Sequence, residues 1–247
     1  MKKKMKGTFL SLTLLFMGLT PLTAQVREYD DLLVLYVDEE YEKCIAKAER
    51  YTEKDKTRRD ALPYLYLSMC YFEIAKLDKY ATEHEWRNAD RDALRWAKRY
   101  RRKDKDLLYF DQYADYWEEL NTMAMETGIM FLDMEEYTKA RRRFDRMVDY
   151  HPENAGAWQM LALCQQELNL QRDAAESMEE FRKSFQAIDD IDRLSKDQRT
   201  LLRGSLIRYA EHMDALGMQD SARHVLDLGY DAFQENPEFK GLYEELN

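Results

Sequence analysis

Residues 121–181 constrain the fold of this chain most strongly, because their small and large apolar residues recur with a period of 34. A period of this length is typical of helix-turn-helix repeats, in which each unit buries an apolar face against the next unit. The matched positions are Gly128 with Ala162, Ala140 with Ala174, and Phe144 with Met178. The sequence therefore predicts stacked pairs of short helices.

The sizes of these residues fit two antiparallel helices that cross closely. Gly128 lies in the middle of a first helix and Ala140 near the start of a second, so the two backbones can approach each other. Larger side chains at helical spacings of three and four fill the space beside the contact. Pro152 ends its unit, because proline has no amide donor and steers the preceding residue out of the helical region. The residues expected to pack the repeats are Gly128, Phe131, Ala140, Phe144, Pro152, Trp158, Leu161, Ala162 and Ala174.

In these residues the chain resembles the tetratricopeptide repeat (TPR) family. The match is good over residues 121–154 and fair over 155–188, where Gln165 replaces the usual aromatic and no proline closes the unit. The resemblance implies an all-α fold of about ten to eleven helices, a TPR-like solenoid of helix-turn-helix repeats with an irregular insertion in its second unit. Degenerate units are expected at 25–56, 61–105 and 203–236, followed by a C-terminal capping helix at 237–246.

The composition indicates helices independently of the repeat. Only 4 prolines and 8 glycines occur in 247 residues, and no run alternates Val, Ile or Thr with polar residues. The segment 106–134 reads as one long helix or as two helices joined near Asn121. The predicted helices are 27–37, 40–54, 60–76, 88–103, 106–134, 137–150, 155–168, 171–186, 197–216, 219–234 and 237–246.

Residues 1–24 have the features of a signal peptide. Met1 to Lys6 carries four lysines, Thr8 to Leu19 is mostly apolar, and Ala24 precedes an acceptable cleavage point. The apolar run is short for a membrane span, although an uncleaved N-terminal anchor is the alternative. We therefore expect bacterial export of residues 25–247 to the periplasm, with outer-membrane association and secretion left open. We expect no transmembrane segment in the exported part.

Loss of the leader makes the chain clearly acidic. Lys plus Arg falls from 38 to 34 while all 48 Asp and Glu remain, which gives a formal charge of −14. This charge favours solubility and disfavours nucleic acid as a partner.

Residue types that carry catalysis do not converge in the sequence. His84, His151, His212 and His224 are scattered, and neither a glycine-rich phosphate loop nor a nucleophile elbow occurs. We therefore predict no enzyme activity and no catalytic, cofactor-binding or metal-binding residues.

The three cysteines are predicted to be buried free thiols. Cys44 occupies the small-residue slot of Ala140, and Cys70 and Cys164 share one slot of the repeat. A disulfide between Cys44 and Cys70 is the alternative in an oxidising compartment.

The segment 88–117 departs most from the repeat pattern. Its basic residues from Arg91 to Lys105 are interleaved with aromatic residues from Trp96 to Trp117, a combination that also holds single-stranded nucleic acid. Tyr109, Tyr113 and Tyr116 recur at helical spacing, however, and this pattern favours a buried stripe with a solvated basic face.

The TPR resemblance implies a concave face, made by the first helix of each unit, that binds an extended peptide or a helix of a partner. This face is expected to be apolar toward its N-terminal half and acidic toward its C-terminal end, unless residues 77–118 fill it. The inward-pointing positions are Leu65, Met69, Phe72, Met125, Ile129, Leu132, Gln159, Leu163 and Gln166, followed by Ile207, Glu211 and Asp214.

The sequence therefore favours a non-catalytic scaffold or adaptor of the cell envelope that binds another protein through its concave face. The alternative function is carbohydrate or peptidoglycan binding by aromatic side chains such as Trp86, Trp117 and Trp158, which would have to be exposed to stack on sugars. The identity of the partner and the oligomeric state do not follow from the sequence.

Overall fold

The computed structural model describes residues 28–247, and all regular structure in this range is helical. The predicted signal peptide lies outside the described residues. No helix in the described part of the chain combines the length and the apolar character needed to span a membrane. The α-helices are α1 (Asp30–Val37), α2 (Tyr41–Glu53), α3 (Leu62–Lys76), α4 (Asp78–Ala81), α5 (Ala89–Lys103), α6 (Ala114–Asp133), α7 (Tyr137–Tyr150), α8 (Ala155–Glu167), α9 (Gln171–Gln186), α10 (Lys196–Ala215), α11 (Gln219–Asp227), α12 (Tyr230–Phe233) and α13 (Pro237–Leu246).

The all-α prediction is confirmed, but residues 28–247 hold thirteen α-helices rather than ten to eleven. The connection at 77–87 contains the single turn α4, and the helix expected at 219–234 breaks into α11 and α12. The helix expected to begin at 106 begins at 114, because the side chain of Asp104 accepts hydrogen bonds from the amides of Leu108 and Tyr109, at 2.8 and 3.1 Å. These bonds hold the chain in a loop that the helical pattern of the sequence does not reveal.

The helices pack largely in consecutive pairs. The pairs are α1 with α2, α3 with α5, α6 with α7, α8 with α9, and α10 with α11. Neighbouring pairs are joined through contacts of α2 with α3, α5 with α7, and α7 with α8. At the C-terminal end, α13 packs on α10 and α11. The result is one continuous core along the described part of the chain.

Helix α10 runs parallel to α6 and α8, and it packs on both of them. Its N-terminal residue Asp197 bonds to Asn121 on α6, and its Ser205 donates to Gln159 on α8 at 2.7 Å. Near the other end of α10, Tyr209 bonds to Gln166 at 2.7 Å. Helices α6, α8 and α10, which are the first helices of the last three pairs, therefore form one layer.

Four of the turns within pairs have the same backbone geometry. Each contains one residue with φ between 58° and 74°, namely Glu39, Glu135, Asn169 or Gly217. The amide of the next residue then donates to the carbonyl oxygen five residues earlier, at 2.8 to 2.9 Å in all four turns. This bond satisfies a carbonyl at the end of the first helix, as in a Schellman cap.

The left-handed conformation at Glu135 predicts a stabilising substitution. Side chains other than glycine are strained at this φ, so Glu135→Gly should raise the free energy of unfolding by about 0.5–1 kcal/mol. Gly217→Ala, at the equivalent turn, should lower it by a similar amount. Chemical denaturation of both variants checks the prediction, and a loss of stability in Glu135→Gly would contradict it.

The largest aromatic cluster lies where α5, α6 and α7 meet. Trp117 is 2% exposed and its ring centre lies 5.2 Å from that of Tyr100, 5.1 Å from Phe110 and 5.9 Å from Tyr150. All three cysteines are buried and carry free thiols, in agreement with the favoured interpretation.

Candidate functional site

The residues predicted to pack the repeats lie between paired helices. The positions that are buried are Gly128, Ala140, Phe144, Leu161, Ala162 and Ala174. Phe131, Pro152 and Trp158 are half-buried. A Cβ atom added at Gly128 would lie 2.7 Å from Cζ of Phe144, so these two residues mark the close crossing of α6 and α7.

Most residues predicted to line the concave face are also buried. Buried positions are Leu65, Met69, Phe72, Met125, Leu132, Gln159 and Leu163, while Ile129 and Gln166 are half-buried. As they stand, the seven buried side chains present almost no surface to a partner. The expectation of an open apolar face at these positions is therefore corrected.

Two contacts account for part of this burial. The ring of Tyr116 packs on Phe72 with centroids 5.6 Å apart, and its hydroxyl donates to Ser68 at 2.6 Å, so the start of α6 covers α3. Helix α10 covers α8, and it binds the side chains of Gln159 and Gln166. Because Tyr116 belongs to residues 77–118, the expected alternative, in which this segment fills the face, agrees with the structure at this point.

An open cleft of about 590 Å³ nevertheless lies between the C-terminal end of α3 and the first half of α6. We call it the inner cleft. Its apolar surface comes mainly from Met123, with the buried Phe72 beneath it, and its polar surface is dominated by carboxylates. The lining residues are Phe72, Lys76, Asp115, Glu118, Glu119, Thr122, Met123, Glu126 and Thr127.

Lys76 is the one cationic residue that lines the inner cleft. Its ammonium group lies 3.1 Å from Glu73 and 3.0 Å from Glu119, and 4.6 Å from the centre of the Phe72 ring. Burial alone would lower the pKa of Lys76, but the two carboxylate hydrogen bonds outweigh it and raise the pKa. The contacts of Lys76 show how the cleft accommodates an ammonium group between carboxylates and above an aromatic ring.

The remaining carboxylates of the inner cleft are not neutralised. Asp115, Glu118 and Glu126 form no ion pair with any cation among residues 28–247. Asp115 and Glu126 are exposed, and Glu118 is half-buried. The cleft therefore carries a net negative charge next to a patch of apolar surface, which suits the aliphatic stem and charged head of lysine or arginine.

Sequence reasoning missed these carboxylates because it placed the inward-pointing positions of α6 at Met125, Ile129 and Leu132. A signal was present, since Asp115, Glu119 and Glu126 are separated by four and seven residues and so share one face of a helix. Acidic residues are frequent throughout the chain, so this spacing alone does not identify a binding site.

A second polar cluster is buried between α6, α7 and α10. Asn121 accepts a hydrogen bond from Tyr150 at 2.6 Å and donates one to Asp197 at 2.8 Å. The amide groups of Asn121 and Gln198 lie 3.2 and 2.9 Å from the two ring nitrogens of His151. These side chains bind one another and are mostly shielded from solvent, so the cluster joins helices. The described residues contain no group of three potential metal ligands.

The buried ring of His151 makes stability depend on pH. Burial lowers the pKa of His151 below its ordinary value of 6.5, against the opposing effect of Glu153 and Asp197. Below about pH 6.5 the unfolded chain binds a proton at His151 that the folded chain does not bind. The contribution of His151 to the free energy of unfolding is therefore fully present above about pH 6.5 and is lost as pH falls through the pKa of the folded state. In urea unfolding between pH 7.5 and 5, His151→Gln should show a smaller loss of stability than the wild type. His84→Gln, at an exposed position, should behave like the wild type, and equal pH dependence in all three proteins would contradict the assignment.

The favoured interpretation of the segment 88–117 is confirmed only in part. Tyr116 is buried on α6, but Tyr109 and Tyr113 are half-buried and lie in the loop and the 3-10 turn before α6, so the three residues do not form one helical stripe. Trp96, Tyr100, Tyr116 and Trp117 are buried. The exposed face of α5 is basic, and it carries Arg91, Arg95, Arg99, Arg102 and Lys103. Helix α5 therefore combines an apolar inner stripe with a solvated outer face.

The tryptophans considered for sugar binding are not open platforms. Trp117 is buried. Trp86 is half-buried between Tyr71 and Tyr80, and Trp158 is half-buried with its indole nitrogen donating to the carbonyl of Pro152 at 2.8 Å.

Comparison of the chain with protein-family models, with curated proteins and with solved structures gives no match.

Proposed function

We propose that this protein is a non-catalytic, exported scaffold with a TPR-like repeat architecture, and that it binds a cationic segment of a protein partner in the inner cleft. The observation that carries the proposal is the cleft itself, which is lined by unpaired carboxylates of α6 together with the half-buried side chain of Met123. The partner acts in the cell envelope, where the predicted leader would direct the protein.

The repeat architecture is supported by the four equivalent turns. The left-handed residues Glu135 and Asn169 are 34 residues apart, which equals the period of the apolar pattern. The turns at Glu39 and Gly217 extend the same geometry to the first and last pairs of helices, where the sequence pattern is weak. The pairwise packing of the helices agrees with this reading.

The chemistry of the inner cleft selects the kind of partner. A lysine or arginine side chain would place its charged group among Asp115, Glu118 and Glu126 and its aliphatic stem along Met123. Individual exposed ion pairs contribute less than about 1 kcal/mol each, so useful affinity requires several basic residues in one segment. An extended basic peptide or a basic helix meets this requirement.

The proposal is tested by the binding of a fluorescent lysine- and arginine-rich peptide, measured by anisotropy at several salt concentrations. Substitution of Glu118, Glu119 and Glu126 by glutamine should weaken binding about tenfold, equivalent to about 1.4 kcal/mol. The matched control replaces Glu83, Glu85 and Glu245, which are exposed and lie outside the cleft, and it removes the same charge. We expect the control to bind like the wild type.

Equal weakening in the cleft variant and in the control variant would show that the peptide responds only to the overall negative charge of the chain. That result would contradict a role for the inner cleft. Circular dichroism of both variants establishes that the helices are retained.

A further inference from the structure

A second opening lies at the C-terminal end of the layer, between α9, α10 and α11. We call it the distal groove. It has a volume of about 680 Å³, and seven of its twelve lining residues are aromatic or aliphatic while five are polar or charged. Its residues are Met178, Phe181, Arg182, Phe185, Gln186, Tyr209, Met213, Asp220, Ser221, His224, Val225 and Leu228.

The distal groove exists because α9 is not packed closely against α10. Residues 187–195 connect these helices, whereas residues 151–154 suffice between α7 and α8. The longer connection contains a 3-10 turn, in which the side chain of Asp190 accepts from the amide of Asp192 at 2.9 Å. Helix α10 packs instead on α6 and α8, which leaves apolar side chains of α9 facing a gap.

The opposite end of the chain carries the complementary feature. Helix α1 packs on α2 and α3 through the fully buried Leu32, while its outer side exposes Leu33, Val34 and Val37. These three side chains are 46%, 55% and 68% exposed. They lie one and four residues apart and so form one apolar face, which no other described helix covers.

The dimensions and the apolar character of the two surfaces match. Helix α1 has eight residues and is about 12 Å long, and the wall of the groove from Met178 to Gln186 has about the same length. Arg182, Asp220 and His224 are among the lining residues of the groove, and Arg182 is paired with Glu179 at 3.3 Å. Asp30 and Asp38 lie at the two ends of α1. An α1 helix in the groove would bury its apolar face and could bring one of these carboxylates to the Arg182 guanidinium.

We propose that α1 of one molecule docks in the distal groove of a second molecule. The two surfaces belong to the first and the last helix pairs, so the contact joins unlike ends of two copies. Such a heterologous contact leaves one free α1 and one free groove in every oligomer, and assembly continues unless the ring closes. This inference does not depend on the inner cleft.

The test uses analytical ultracentrifugation of the protein purified from cells that express the full chain. The mass of the wild type should rise with concentration. The α1 variant, Val34→Glu with Val37→Glu, and the groove variant, Phe185→Glu, should each remain monomeric. The control, Met130→Glu with Met134→Glu, changes two exposed apolar residues about one helical turn apart at the C-terminal end of α6 and should associate like the wild type.

Mixing the two variants gives the sharpest result. The α1 variant keeps an intact groove and the groove variant keeps an intact α1, so an equimolar mixture should form a species of twice the monomer mass and nothing larger. A wild type that stays monomeric at all concentrations would overturn the proposal and leave the groove to another partner. Association of the wild type without dimers in the mixture would overturn it too, in favour of a contact between like surfaces.

Phe185 is half-buried, so its substitution could disturb folding. Ser221→Trp provides a second groove variant, because it fills the space and leaves the apolar residues in place. Ser221→Trp alone should remain monomeric, and it should form a dimer when it is mixed with the α1 variant. If Ser221→Trp associates like the wild type, the proposed docking site is wrong.

Discussion

Replacing Gly156 by alanine is expected to lower the free energy of unfolding by up to about 2 kcal/mol. A Cβ atom at this position would lie 2.7 Å from the backbone nitrogen of Leu202 and 2.8 Å from the carbonyl carbon of Leu201. These are backbone atoms of α10, so relief requires α8 and α10 to move apart rather than one side chain to turn. The cost of overpacking, about 1–3 kcal/mol, should outweigh the gain in helix propensity of about 1 kcal/mol.

The matched control for this substitution is Gly204→Ala on α10. A Cβ atom there would meet only the terminal methyl group of Met160, at 3.9 Å. Helix propensity should then dominate and raise the free energy of unfolding by about 0.5–1 kcal/mol. Urea denaturation measures the change in the free energy of unfolding for both variants, which should be negative for Gly156→Ala and positive for Gly204→Ala. Stabilisation by Gly156→Ala would contradict the close crossing of α8 and α10.

The largest loss of stability is expected for Asn121→Ala, at about 3 kcal/mol. This side chain bonds to Tyr150 and Asp197, and both of these residues are buried. Its removal leaves the Asp197 carboxylate in the core without a donor for Oδ2, and Oδ1 already has no hydrogen-bond partner among the described residues. A buried polar group without a partner costs about 1–3 kcal/mol, and a charged group costs more.

Thr122→Ala controls for a substitution in the same turn of α6, because the Thr122 hydroxyl donates only to the carbonyl of Glu118. It should change stability by less than about 0.5 kcal/mol. A double-mutant cycle of Asn121→Ala with Asp197→Ala should show a coupling of about 1–3 kcal/mol, since the second substitution removes the unsatisfied carboxylate. Additive losses would show that the two residues do not depend on each other.

The helices are predicted well from the sequence because the spacing of small and large apolar residues within a short stretch determines where each helix lies. A close crossing within one helix pair is already specified by the small residues Gly128 and Ala140 and by the bulky Phe144 that follows them. Pro152 then ends the pair. The same local reasoning places the boundaries of α7, α8 and α9 within a residue or two. It fails at Asp104, where one side chain interrupts a pattern that otherwise predicts a helix, and at residues 228–229, where the helix expected at 219–234 breaks.

The surface that remains open after packing could not be predicted in the same way. Ser205 covers Gln159, and Tyr116 covers Phe72. Each covering residue lies more than 40 residues away along the chain from the residue that it covers. Spacing identifies which residues point to one side of a helix, but not which helix covers that side. The inner cleft therefore appears only when α3 and α6 are placed together, and its lining differs from the positions that the repeat pattern selects.

The lining of the inner cleft supports a cationic segment as the proposed partner. The apolar residues of the first helices form the core, and the carboxylates of α6 remain accessible. In an acidic chain, a partner selected by charge associates rapidly at low ionic strength and more weakly as salt is added. Its recognition should therefore respond to salt more than to the removal of a single apolar side chain.

The central claim is tested most directly by site-specific cross-linking in cells that make the protein. A photoreactive amino acid replaces Thr122 in the inner cleft or, as the control, the exposed Gln171 on α9. We predict that the Thr122 position captures a protein segment rich in lysine and arginine, that Gln171 does not, and that the product disappears when Glu118, Glu119 and Glu126 are replaced by glutamine. Capture of a segment without basic residues, or capture that persists without these carboxylates, would contradict the account.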